Sequence, residues 1–173
     1  SPQQGWVAML AYGHCTMQSP DKRCRGQNSY LLALTLSALA RYHQATGDPA
    51  VLQAISAGLD QMIRECWDER SKAFWATACI HLRDGGRRGN SYSTALLASL
   101  AFAHEIRLTD HQEHRRIYRA AFQAAMESGR AQLESGHRQA QAGYASRAFH
   151  FTPFGLKALH DDEAKQKAAG APP

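Results

Sequence analysis

Asn28-Ser29-Tyr30 and Asn90-Ser91-Tyr92 repeat the same three residues 62 positions apart in this 173-residue chain. Amide and phenol groups hydrogen-bond hydroxyls, and the tyrosine rings offer flat apolar faces for stacking. Arg87, shortly before the second run, carries a guanidinium that pairs with carboxylate or sulfate groups. His81 and His150 supply imidazoles that can move a proton near neutral pH, and Trp75 is a candidate stacking platform. These groups suit binding and proton transfer. Covalent serine chemistry finds no support, because Ser91-Tyr92-Ser93-Thr94 lacks a GxSxG context. The chain also has no GxxxxGK phosphate loop and no GxGxxG turn after a strand. Its four cysteines, Cys15, Cys24, Cys66 and Cys79, contain no CxxC pair, so buried thiols are expected and disulfide pairing stays open. His14, His81 and His150 stand at unequal offsets from the recurring asparagines, so neither a metal nor another cofactor is expected.

The elements that would position these residues follow from the same spacing. The shift of 62 also carries Asp48 onto Asp110, and a further shift reaches Thr152 and Phe154. Repeat units therefore start near 28, 90 and 152. Each of the first two reads as a helical hairpin, 29–46 with 49–66 and 91–108 with 110–130. Asn28, Asn90 and Thr152 are natural N-caps, since their side-chain oxygens accept from unpaired first-turn amides. Asp48-Pro49 is a stronger start, because proline suits the first helical position. The first helix of each unit carries apolar residues around much of its circumference (Leu31, Leu32, Leu34, Leu36, Leu39), so burial on more than one side is expected. The second helix shows one stripe, Val51, Leu52, Ile55, Leu59, Met62 and Ile63, against a wet face with Gln53, Asp60 and Arg64. The sequence thus predicts an all-α fold of repeated antiparallel hairpins. Short β elements belong in the connections, at 74–82 and near 9–16 and 144–151. Residues 1–160 form the domain, and 161–173, polar and rich in Ala, Gly and Pro, reads as a flexible tail.

The bulk properties narrow the partners. Lys+Arg 20 against Asp+Glu 15 gives a net charge of +5, which weakly favours an anionic partner. Arg87-Arg88 and Arg115-Arg116 are isolated pairs without interleaved aromatics, so nucleic acid is not an expected partner. No apolar run approaches the ~20 residues that cross a bilayer, so a membrane is not expected either. A soluble chain follows, and its location is left open, secreted and periplasmic included.

The segment Tyr42-His43-Gln44-Ala45-Thr46-Gly47-Asp48-Pro49, followed by an amphipathic helix ending in Cys66-Trp67-Asp68, resembles the hairpins of the (α/α)-toroid carbohydrate-active superfamily. That superfamily includes six-hairpin glycoside hydrolases, acylglucosamine epimerase-like enzymes and toroid polysaccharide lyases. The resemblance implies a substrate cleft where the inner helices begin. It would collect Asn28, Tyr30, Asn90, Tyr92, Thr152 and Phe154, with Arg25, Arg87 and Arg88 just before them. It also implies about six hairpins, of which this chain supplies two and parts of others. It is read as a C-terminal portion that meets missing upstream sequence, a second copy or a partner chain.

On this basis the expected function is binding of, or action on, a poly- or oligosaccharide, acidic ones included. Asn28, Tyr30, His81, Arg87, Asn90, Tyr92, His150 and Trp75 are the candidate substrate-binding residues. The competing account gives the asparagines to capping and the tyrosines to the core, within a non-enzymatic helical-repeat interaction domain. Catalytic residues stay unassigned. Glycoside hydrolysis needs two carboxyl groups across the bond, yet Asp48 and Asp110 start outer helices, and Asp60, Glu65, Glu113 and Glu127 fall on wet faces. Asp84 and Asp21 lie in connections and read as solvated turn residues. A hydrolase would need an essential carboxylate upstream of Ser1. A uronic-acid lyase instead needs Asn, His or Arg at the sugar carboxylate and Tyr or His for the proton, types that Asn90, Tyr92, His81, Arg87 and His150 provide.

Overall fold

Gly47 and Asp48 divide the first helical pair as their residue types require. Gly47 takes a left-handed φ of 68° and donates its N–H to the His43 carbonyl at 2.8 Å, closing α1 (Ser29–Thr46). The Asp48 carboxylate then accepts from the Ala50 amide at 2.9 Å, and Pro49 opens α2 (Pro49–Cys66). The fold is a computed structural model that describes residues 8–10, 24–79, 87–135, 150 and 152–165. It is mostly helical, with one small sheet.

A second helical pair follows. α3 (Ser93–Leu97) and α4 (Ser99–Leu108) run nearly end to end, and α5 (Gln112–Glu134) returns. α4 stops at Leu108, 62 residues after the end of α1, in line with the spacing of the Asn-Ser-Tyr runs. The sequence predicts one helix over 91–108. Instead the backbone flattens to ψ −4° at Ala98, although its N–H still reaches the Thr94 carbonyl at 2.9 Å. A last helix, α6, covers 152–165. It runs into the stretch assigned to the tail, because Asp162, 6% exposed, is held by Arg115 at 3.1 Å and Arg119 at 3.3 Å on α5. Residues 166–173 lie outside those described, as do 136–149, which include most of the third β element expected at 144–151.

The strands are β1 (Ala8–Leu10), β2 (Cys24–Asn28), β3 (Trp67–Asp68), β4 (Ala73–Cys79) and β5 (Arg87–Ser91), all antiparallel where they pair. β4 is central. β5 takes one of its edges, while β2 and β3 share the other, β2 toward Cys79 and β3 toward Ala73. An antiparallel strand pair thus leads into α1 (β1 and β2) and another into α3 (β4 and β5).

α1 and the α3–α4 pair lie side by side in the same direction. Ser29 Oγ is 3.1 Å from Thr94 Oγ1, Ser37 Oγ donates to the Leu97 carbonyl at 2.6 Å, and His43 Nδ1 is 2.7 Å from His104 Nε2. The core joins Leu32 and Leu36 of α1 to Ile55, Leu59 and Met62 of α2, Phe74 of β4, Leu96 and Phe102 of the second inner pair, and Ile117, Tyr118 and Phe122 of α5. α3–α4 is enclosed, as expected. α1 is not: Leu31 is 53% exposed and Tyr42 56%, because no element among the described residues covers that side.

Candidate functional site

Five of the eight residues selected from the sequence, Asn28, Tyr30, Trp75, Asn90 and Tyr92, stand on the sheet or at the starts of α1 and α3, and Arg87 lies on the same sheet. In the ladder Trp75 opposes Asn90, Thr77 lies between Asn28 and Arg88, and Ala78 opposes Arg87. The Ser29–Thr94 hydrogen bond brings the two helix starts together, with Tyr30 exposed and Tyr92 half-buried against the core. Asn28 caps α1 as expected, its Oδ1 accepting from the Leu31 amide at 3.1 Å. Asn90 does not cap. Pairing with β4 holds the backbone extended through Ser91, and Tyr92 precedes α3 without a side-chain cap bond.

The remaining positions lie elsewhere. His81 is outside the described residues, and His150 is exposed beside the start of α6. Phe154 stacks under the Arg41 guanidinium at 5.7 Å. Arg41 is twelve residues into α1, ~18 Å along the axis at 1.5 Å per residue. The third opening therefore does not gather with the first two. Thr152 fails as a cap as well, since its Oγ1 is buried with no hydrogen bond among the described residues.

α6 instead closes a cleft of about 240 Å³ against α4 and the end of α1, lined in part by Gln44, His104, Arg107, Phe154, Lys157 and Asp161. Arg107 can only donate, so the 3.2 Å contact makes His104 Nδ1 an acceptor. His104 Nε2–H then donates to His43 Nδ1. Burial, with the His43 and Arg107 charges adding to it, holds the His104 imidazole below the ordinary histidine range.

A second polar group, assembled from three helices, went unassigned in the sequence. Glu105 of α4 is fully buried and accepts from Ser56 Oγ of α2 at 3.1 Å. His114, in the first turn of α5, sets Nδ1 3.1 Å from Glu105 Oε1 and Nε2 3.0 Å from Asp60 Oδ1 of α2. Ionised carboxylates only accept, so this pair of contacts favours a ring that donates from both nitrogens. Burial pushes His114 toward its neutral form, but the bonds to Glu105 and then Asp60 outweigh it, leaving the group above the ordinary histidine value. His111 stacks on His114, ring centroids 4.6 Å apart, with Nε2 3.8 Å from Glu105 Oε1. Glu105 Oε2 has no hydrogen-bond partner among the described residues. Two signals in the sequence point to this cluster: a carboxylate inside the apolar run Leu100–Ile106, and His111 and His114 three apart at a helix start.

Comparison with protein-family models, curated proteins and solved structures finds no match to this chain. Among the described residues no helix is long and apolar enough to cross a membrane.

Proposed function

We propose that this chain is part of an (α/α) toroid that binds, and in its assembled form acts on, an oligo- or polysaccharide, acidic ones included. The observation that carries this proposal is the pairing of β-hairpin with inner helix. Two strand pairs lead into two parallel inner helices whose starts are tied by the Ser29–Thr94 bond. Tyr30, Trp75 and Tyr92 are thereby brought to one end, with Arg87 and Asn90 on the adjoining strand. Aromatic faces for sugar rings and polar groups for hydroxyls are what saccharide recognition requires. The exposed side of α1 supports a further hairpin, a second copy or a partner chain packing there, as an incomplete ring would need.

A helical-repeat interaction domain is the second reading. It is favoured by Asn28, whose side-chain oxygen is occupied by the cap, and by Tyr92, which packs on the core. A thermal-shift screen with acidic and neutral oligosaccharides separates the two. A bound sugar at about 100 times its Kd adds about 2.7 kcal/mol, a rise of several degrees. Trp75→Ala and Tyr30→Ala should abolish that rise without lowering the unliganded Tm by as much as a core truncation. No shift with any sugar, or a shift untouched by both variants, leaves the interaction domain.

A further inference from the structure

We propose that Glu105, His111 and His114 form a binding site for one divalent transition-metal ion, Zn²⁺ by donor type, with Asp60 positioning His114. This inference is independent of the saccharide reading. The three donors, two imidazole nitrogens and a carboxylate oxygen, lie within 4.8 Å of one another. Zinc bonds of ~2.0–2.1 Å in tetrahedral geometry separate neighbouring donors by about 3.3 Å. The Glu105–His114 pair already meets that spacing at 3.1 Å. His111 is the donor that must close in. It is exposed and immediately precedes α5, so its ring can turn without disturbing the core.

Two further features fit an ion better than a closed ion pair. Glu105 is fully buried, and its Oε2, the oxygen that neither Ser56 nor His114 touches, finds no hydrogen-bond partner among the described residues, a costly arrangement that a cation shared by both carboxylate oxygens would relieve. Zinc binding would release the Nδ1 proton of His114 to solvent, leaving Nδ1 toward Glu105 and Nε2–H on Asp60, the carboxylate–histidine–metal order that fixes a ligating ring. Three protein donors, one of them the exposed His111, leave a fourth position open to water, where zinc would promote ionisation of that water. Mixed nitrogen and oxygen donors suit zinc and disfavour Mg²⁺ and Ca²⁺, which take oxygen ligands.

The test is calorimetric titration of ZnCl₂ into the chelator-treated chain, with MgCl₂ as control. One zinc per chain and a raised Tm are expected, with no response to magnesium. His111→Ala and Asp60→Asn alter exposed side chains and should leave the fold intact. The first should weaken zinc binding about tenfold or more, and the second about 10- to 100-fold. His160→Ala, an exposed side chain of α6, should bind as the unaltered chain does. Absence of zinc binding overturns the proposal. So does binding that His111→Ala and Asp60→Asn leave unchanged, since the ion would then sit on other histidines.

Discussion

α1 and the α3–α4 pair are written in nearly the same Leu- and Ala-rich alphabet, yet they occupy different environments. Leu34 and Leu96 are equivalent under the 62-residue shift, but Leu34 is half-buried and Leu96 fully buried. The α3–α4 pair has α1, α2 and α5 around it and α6 across the cleft, whereas α1 has α2 and the α3–α4 pair beside it and meets α6 only near its end, at Arg41 and Gln44. Composition sets how much apolar surface a helix offers. Neighbours decide how much of it is removed from water.

The sharpest way to break this comparison is to truncate both helices. Phe102→Ala removes a buried ring stacked on Tyr118 at 4.8 Å and should cost about 3–5 kcal/mol in denaturant unfolding. Leu31→Ala, on the uncovered side of α1, should stay within about 0.5 kcal/mol. Similar losses at the two sites would mean that α1 is covered in solution. Gly155→Ala sharpens the enclosed side further. A Cβ there would stand 2.3 Å from both the Phe122 ring and the Tyr118 hydroxyl, so α6 should be forced off α5 at about 1–3 kcal/mol. Thermal melts measure it, and an unchanged Tm would show that α6 does not pack there.

The smallest effect concerns the exposed turn between β3 and β4, outside both inner helices. Hydrogen bonds from Lys72, Arg116 and Trp67 hold the Glu69 carboxyl down to about 2, against 4.5 for the unperturbed group. A lowered folded-state value means that its contribution is complete above pH 4.5 and is lost as the pH falls toward 2. Glu69→Gln should flatten that part of the stability–pH curve slightly, and a curve of unaltered slope would count against the network.

The boundary within the first helical pair was legible in the sequence because it rests on local chemistry: the Gly47 turn, the Asp48 cap and Pro49 each act within a few residues, whereas the helix expected at 110 starts at Gln112, after His111. The β element expected at 74–82 from aromatic and β-branched content is β4, Ala73–Cys79, with 80–82 outside the described residues. The cap at Asn90 failed because a distant strand, β4, decides its backbone. The exposure of Asp60 was read correctly from helical period, but periodicity does not reveal that the edge of that wet face meets His114, 54 residues on. Clusters drawn from three helices are set by tertiary packing, which residue spacing does not encode. The tail fell short for the same reason: Asp162 looks solvated until the arginines of α5 are placed beside it.

Surfaces of leucine and alanine slide past one another easily, since one small apolar bump fits a groove about as well as the next. The three polar contacts between α1 and α3–α4, at Ser29, Ser37 and His43, act as teeth along an otherwise smooth rail. Slippage by a single residue would unhook all three together and strand Ser29 and Ser37 in the interior. Inserting one alanine into the middle of α1 should therefore harm this molecule more than replacing any one of the three.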